Sequence, residues 1–146
     1  MSTTVAAQKP SASPAPRQFR PFSPSNPSRP HRPTIALVGS PNTGKTTIFN
    51  ALTGLRTQTA NFPGTTVERK VGIATLGGQL VECIGLPGIY SLKAATPEEQ
   101  LTYDALHGRI REVAAPDLVV VIADADNLER SLFVASQLLE MERKLV

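Results

Sequence analysis

The 146-residue chain is 40% hydrophobic, has a formal net charge of +3 at pH 7 and contains one cysteine. Its length suits one domain with one core, no apolar run approaches the roughly 18 to 20 residues that span a bilayer, and the lone Cys83 forms no intrachain disulfide, which fits a reducing cytoplasm. Setting aside Lys9, Arg17, Arg20, Arg29 and Arg32, all in a first segment without Asp or Glu, takes the formal charge of residues 34–146 to −2, so the globular part has no basic character that would suggest nucleic acid.

Residues 1–33 hold eight of the thirteen prolines and many serines, without the apolar periodicity that would bury a segment. A disordered tail is expected there. Pro21, Pro24, Pro27, Pro30 and Pro33 recur at the three-residue repeat of a polyproline II helix, which suits an SH3-type ligand, although a solvated spacer is the simpler reading. An Arg- and Ser-rich transit peptide is opposed by the prolines, which break the amphipathic helix it needs.

The apolar run Ile35-Ala36-Leu37-Val38 predicts a strand, and it leads through Gly39-Ser40-Pro41-Asn42-Thr43-Gly44-Lys45-Thr46 into a helix beginning near Thr47. This spacing fits G-x-x-x-x-G-K-[ST], in which backbone N–H groups and a helix N-terminus form a concave array of donors for phosphate. Gly39 and Gly44 permit the turn and a close backbone approach, Lys45 extends a compact cation toward the β- and γ-phosphates, and Thr46 offers a hydroxyl to Mg²⁺. Ile48, Leu52 and Leu55 fall at helical spacing, with Gly54 as a stop.

Residues 56–64 show no periodicity and read as a loop, continuing through Thr65 and Thr66, whose hydroxyls could reach a Mg²⁺ ion and the terminal phosphate. Val67, Val71 and Ile73, the Gly77-Gly78 break and Leu80 to Ile84 form a β-hairpin pattern, and its second strand delivers Gly85-Leu86-Pro87-Gly88 to the active edge of the sheet. Thr96-Pro97-Glu98-Glu99 opens a helix with Thr96 as cap and Glu99 closing a capping box, and Leu101, Ala105 and Ile110 give it an apolar side. Asp117 to Ala123 contains an unbroken β-branched run expected of a central parallel strand. Asp126 and Glu129 are candidate caps of the next helix, with Leu128, Leu132, Ala135 and Leu139 as its buried stripe, and Arg143 to Val146 reads as the entry to a further strand.

Taken together, residues 34 to about 140 resemble the G domain of FeoB-type ferrous iron transport proteins. The resemblance rests on Gly39 to Gly54 as first motif and Asn61-Phe62-Pro63-Gly64-Thr65-Thr66-Val67-Glu68 as second, completed by Leu86-Pro87-Gly88-Ile89-Tyr90-Ser91-Leu92 and Asp124-Ala125-Asp126-Asn127-Leu128-Glu129-Arg130. It implies an α/β P-loop NTPase fold of the Ras-like G-domain type, with a mostly parallel sheet flanked by helices. It also implies GTP/GDP binding by residues 39–47, 64–68 and 85–88: Gly39, Ser40, Pro41, Asn42, Thr43, Gly44, Lys45, Thr46, Thr47, Gly64, Thr65, Thr66, Val67, Glu68, Gly85, Leu86, Pro87 and Gly88.

By the same resemblance Thr46 and Thr66 ligate Mg²⁺, Asn42 ligates K⁺, and Lys45, Thr66 and the Gly88 N–H act on the transferring phosphate. Residues 56–68 and 86–96 are the switch segments, and Ile89 stands where Ras-like GTPases carry a water-orienting glutamine. The implied setting is cytoplasmic, with other parts of an iron transport system holding the domain at the inner face of the cell membrane.

Two departures from the family pattern bear on chemistry. Gly85 replaces the third motif's Asp, and no guanine-reading Asn-Lys/Met-x-Asp motif or strand bearing it occurs up to Val146, so a fragment or degraded copy is expected and guanine specificity comes from the resemblance alone. A non-hydrolysing, nucleotide-dependent partner-binding module is the alternative reading, favoured by Gly85. Iron ligation has little support, because His31 and His107 lie far apart and Cys83 has no ligand-like neighbour.

Overall fold

The computed structural model describes residues 32–142 and 144–146; the expected tail falls outside them except for Arg32 and Pro33. Among the described residues five strands form one sheet in the order β2-β3-β4-β1-β5, where β1 is Thr34–Gly39, β2 Thr57–Asn61, β3 Glu68–Leu76, β4 Gln79–Gly85 and β5 Leu118–Ile122. β1 lies in the interior of the sheet, parallel to β4 on one side and β5 on the other, and all six of its residues are buried, as the short continuous apolar run requires. The other two pairings, β2 with β3 and β3 with β4, are antiparallel, so the sheet is mixed.

The described α-helices that cover the sheet are α1 (Lys45–Thr53), α2 (Pro97–Leu106) and α3 (Leu128–Glu140). Alternation along the strands separates two cores. Ile35, Leu37, Val81 and Cys83 pack with Phe49 of α1 on one face. Ala36, Val38, Ile84 and Leu86 pack with Leu106 of α2 and with Val134 and Leu138 of α3 on the other. Burying each large aliphatic or aromatic side chain contributes on the order of 1.5–3 kcal/mol, so the fully enclosed Leu37, Phe49, Leu106 and Leu138 anchor the layers.

Several sequence expectations need correction. The stretch read as a loop contains β2, an edge strand whose pairing with β3 depends on backbone hydrogen bonds and needs no apolar face. β5 is the end member of the five-strand order rather than a central strand; among the described residues its far side meets the segment around Leu145, through a parallel bridge with Val119. There Val121 N donates to Val146 O and Val146 N to Val119 O, each at 2.9 Å, so the expected entry to a further strand is present at least as a bridge.

On α1 the buried residues are Phe49 and Thr53, while Ile48 is exposed and Leu55, beyond the helix in a left-handed conformation, more so. α2 buries Thr102, Ala105 and Leu106, and Ile110 lies past its end, packed at the margin of the core. On α3 the buried stripe is Ser131, Val134 and Leu138, which leaves Leu128, Leu132 and Leu139 facing outward. Ser131 is buried because its hydroxyl ties the start of α3 to the end of the preceding strand. Its Oγ accepts from Asp124 N at 3.0 Å and donates to Asn127 O. The capping expectation there also shifts, since Asp124, rather than Asp126 or Glu129, caps the 3₁₀ turn Ala125–Asn127 by accepting from Asp126 N.

Candidate phosphate site

Gly39 ends β1 against β5, where a Cβ would come within 2.6 Å of the Ile122 carbonyl oxygen; glycine is required for the strands to close at the root of the loop. Asn42 (φ 61°) and Gly44 (φ 83°) take left-handed conformations that turn the chain into α1, whose first bond runs from Ile48 N to Gly44 O at 3.0 Å. Thr43 Oγ1 donates to Ser40 O at 2.9 Å, and Lys45 Nζ donates to the same carbonyl. The lysine is half-buried, and this desolvation disfavours its charged form and lowers its pKa below the ordinary lysine value, a penalty that an anion beside it would offset. Ser40 Oγ is buried without a hydrogen-bond partner.

Above the loop lies an open cavity of about 330 Å³, lined by Pro41, Asn42, Lys45, Thr46, Phe49, Glu68, Lys70, Gly85, Leu86 and Gly88. Leu86 N donates to Leu37 O and Ile89 N to Gly39 O, both at 3.1 Å, so the segment after β4 is pinned across the end of β1. Gly88 lies so close to the loop that a Cβ would stand 2.8 Å from Pro41 Cα. The segment continues into a polar bracket built around Glu99. This buried carboxylate accepts from Ser91 N, Ser91 Oγ and Ala95 N, while Thr96 Oγ1 accepts from Glu99 N. Glu99 thus reaches past the expected capping-box partner, and Gln137 of α3 accepts from Leu92 N at 2.8 Å.

Of the residues singled out from sequence, Pro41, Asn42, Lys45, Thr46, Glu68, Gly85, Leu86 and Gly88 meet at this cavity. Gly39, Ser40, Thr43, Gly44, Thr47 and Pro87 are not among its lining residues. The second motif is only partly brought in. Phe62 N donates to Val67 O at 2.9 Å and Thr65 Oγ1 donates to Phe62 O at 3.1 Å, closing residues 62–67 into a tight connection between β2 and β3. Gly64, Thr65, Thr66 and Val67 line a different hollow, with Pro97 and Leu101, so Thr66 does not face the Thr46 hydroxyl across the cavity.

Phe49 and Lys70 are lining residues that the sequence motifs do not reveal. Lys70 was recoverable: the Gly77-Gly78 turn sets Leu76 opposite Gln79, and counting back along both strands brings Lys70 opposite Gly85. Among the described residues no group of three or more His, Cys, Asp or Glu could hold a metal ion, and no helix is long and apolar enough to cross a membrane.

The family model described as ferrous iron transport protein B matches residues 33–146. The Fe(2+) transporter FeoB of Methanocaldococcus jannaschii is 49% identical over 107 residues, which are 73% of this chain and 15% of that protein. Among solved structures, the G domain of T. maritima FeoB is 44% identical with a TM-score of 0.69, covering 79% of this chain and 69% of that one. The cytosolic domain of the same transporter in a GDP form gives a TM-score of 0.71 at 44% identity, covering 79% of this chain and 43% of that one. The chain thus spans a small part of the curated relative's length. A mixed sheet with a phosphate loop at the end of its buried β1, joined to these matches, shows that the chain belongs to the ferrous iron transport protein B family and carries a GTP-binding domain resembling its G domain.

Proposed function

We propose that the cavity above Lys45 binds the phosphates of GTP and GDP and that the chain hydrolyses GTP slowly. The observation that carries this reading is the convergence of Lys45, the N-terminus of α1 and the Leu86–Gly88 segment on one open cavity. The helix N-terminus and the ammonium hold negative charge in place, and the backbone at Gly88 is the element nearest the loop that could donate to a terminal phosphate. Thr65 and Thr66 would have to move from their present hollow to take part, a switch-like rearrangement of residues 56–68 paired with one of residues 86–96. The non-hydrolysing module is not favoured by the family match.

Mg²⁺ is the expected companion of the nucleotide. Thr46 lines the cavity and would be its ligand, with Glu68 the single carboxylate among the lining residues, but Thr66 lies elsewhere, Gly85 supplies no side-chain oxygen, and an ammonium, Lys70 Nζ, stands 3.4 Å from Thr46 Oγ1. This donor set does not fit a tight divalent site. Asn42, a cavity residue with a side-chain carbonyl, is the proposed K⁺ ligand. In the cell the domain is proposed to work in the cytoplasm with other parts of a ferrous iron transport system, at the inner face of the membrane.

The test is binding of a fluorescent GDP analogue to the parent and to Lys45→Ala. Loss of about tenfold or more in affinity is expected. Unchanged affinity would remove the cavity as the nucleotide site.

A further inference from the structure

Lys70 sits on β3 directly opposite Gly85 of β4, on the face of the sheet that carries α1. Because Gly85 has no side chain, nothing from β4 stands between the lysine and the loop. An added Cβ there would meet Lys70 Cβ at 3.4 Å and the Phe49 ring at 3.6 Å, so the root of the Lys70 side chain stands beside the glycine on this face. Its Nζ reaches within 3.4 Å of Thr46 Oγ1, the hydroxyl that opens α1 at the cavity. The cavity is therefore lined by two ammonium groups, Lys45 and Lys70, against the single carboxylate of Glu68.

We infer that Lys70 is a phosphate-binding residue of this chain, and that its ammonium beside Thr46 supplies the positive charge a divalent cation would otherwise bring, so that nucleoside di- and triphosphates bind without a metal requirement. The inference rests on the nucleotide reading above. It goes further by giving this role to a residue outside the phosphate loop and by linking it to the missing carboxylate. A carboxylate at position 85 would pair with the lysine and hold it back from phosphate, whereas glycine leaves the ammonium directed at the loop. Lysine suits this role as a compact point charge on a flexible stem, able to follow the phosphate oxygens as the nucleotide enters.

The experiment measures affinity for a fluorescent GDP analogue in EDTA and in excess Mg²⁺ for the parent, Lys70→Met and Lys70→Arg, with thermal melts to confirm folding. The parent should bind within about threefold in the two buffers; Lys70→Met should lose about tenfold or more in EDTA and recover part of it in Mg²⁺, and Lys70→Arg should retain most of the EDTA affinity. A parent that loses about tenfold in EDTA, or a Lys70→Met variant that binds like the parent in EDTA, overturns the inference while leaving the nucleotide site intact. A folded parent that binds the analogue in neither buffer overturns the nucleotide reading and this inference together.

Discussion

Placing a carboxylate by Gly85→Asp tests how far one position limits the proposed hydrolysis of GTP. The backbone at Gly85 does not lie in the positive-φ region, and an added Cβ would make only ordinary or slightly close contacts, 3.4 Å to Lys70 and 3.6 Å to Phe49, so the variant should fold. Its carboxylate would stand on the α1 face near Lys70 and Thr46. Pairing with the partly exposed Lys70 adds no more than about 1 kcal/mol to stability. The larger effect is on the barrier. A preorganised electrostatic contact to the transferring phosphate, made through a recruited Mg²⁺, is worth on the order of 3 kcal/mol, roughly a hundredfold in rate.

Glu82 cannot already fill this role. It alternates with Cys83 and Gly85 along β4 and lines a small cavity with Arg69 and Val113 on the opposite face of the sheet. Glu68, which lines the phosphate cavity, is the nearer competitor. Single-turnover GTP hydrolysis followed across a Mg²⁺ titration, with Gly85→Asn as a size control, should show Gly85→Asp at least about tenfold faster than the parent and more dependent on Mg²⁺. Equal rates and equal Mg²⁺ dependence in parent and Gly85→Asp would refute the reasoning, because the missing carboxylate would then be irrelevant to the chemistry.

Burial raises the pKa of Glu82, with the charges of Arg32 and Arg69 opposing the shift. A carboxyl whose folded pKa lies above its unfolded value contributes stability that is fully present below the unfolded pKa and lost as pH rises through the folded pKa. Glu82→Gln should therefore raise the melting temperature at neutral pH and lose that advantage in acid, and a gain independent of pH would count against desolvation as the cause. For Asn42, turnover by the parent should be faster in KCl than in NaCl and Asn42→Ala should erase the difference; equal parent rates in the two salts would reject the K⁺ assignment.

What is legible in the sequence is whatever short-range pattern determines. The phosphate loop, the Gly54 stop and the two-glycine hairpin are local, and the hairpin even carries the register that brings Lys70 to Gly85. β2 is not legible, because an edge strand of sequence Thr-Gln-Thr-Ala-Asn buries no face and so leaves no alternation to read. The stripe of α3 misleads for a related reason. Its leucines outnumber the positions the core uses, and the buried Ser131 is held by hydrogen bonds to Asp124 and Asn127 that apolar periodicity cannot register. Glu99 shows the same limit: its spacing predicts a cap, but its buried carboxylate serves residues in the segment before the helix.

The bracket around Glu99 also bears on which substitutions the segment from Ser91 to Ala95 can absorb. The contacts that shape it at positions 91, 92 and 95 are made by main-chain N–H groups received by Glu99 and Gln137, Lys93 N donates to Ser91 Oγ, and Ser91 Oγ itself donates to Glu99. A main-chain donor is offered by every amino acid except proline. Lys93 and Ala95 are exposed, so their identities are free to drift in an evolving lineage without changing the path of the chain. Proline at 91, 92, 93 or 95, or loss of the Glu99 or Gln137 acceptor, is the kind of change such a lineage would have to avoid.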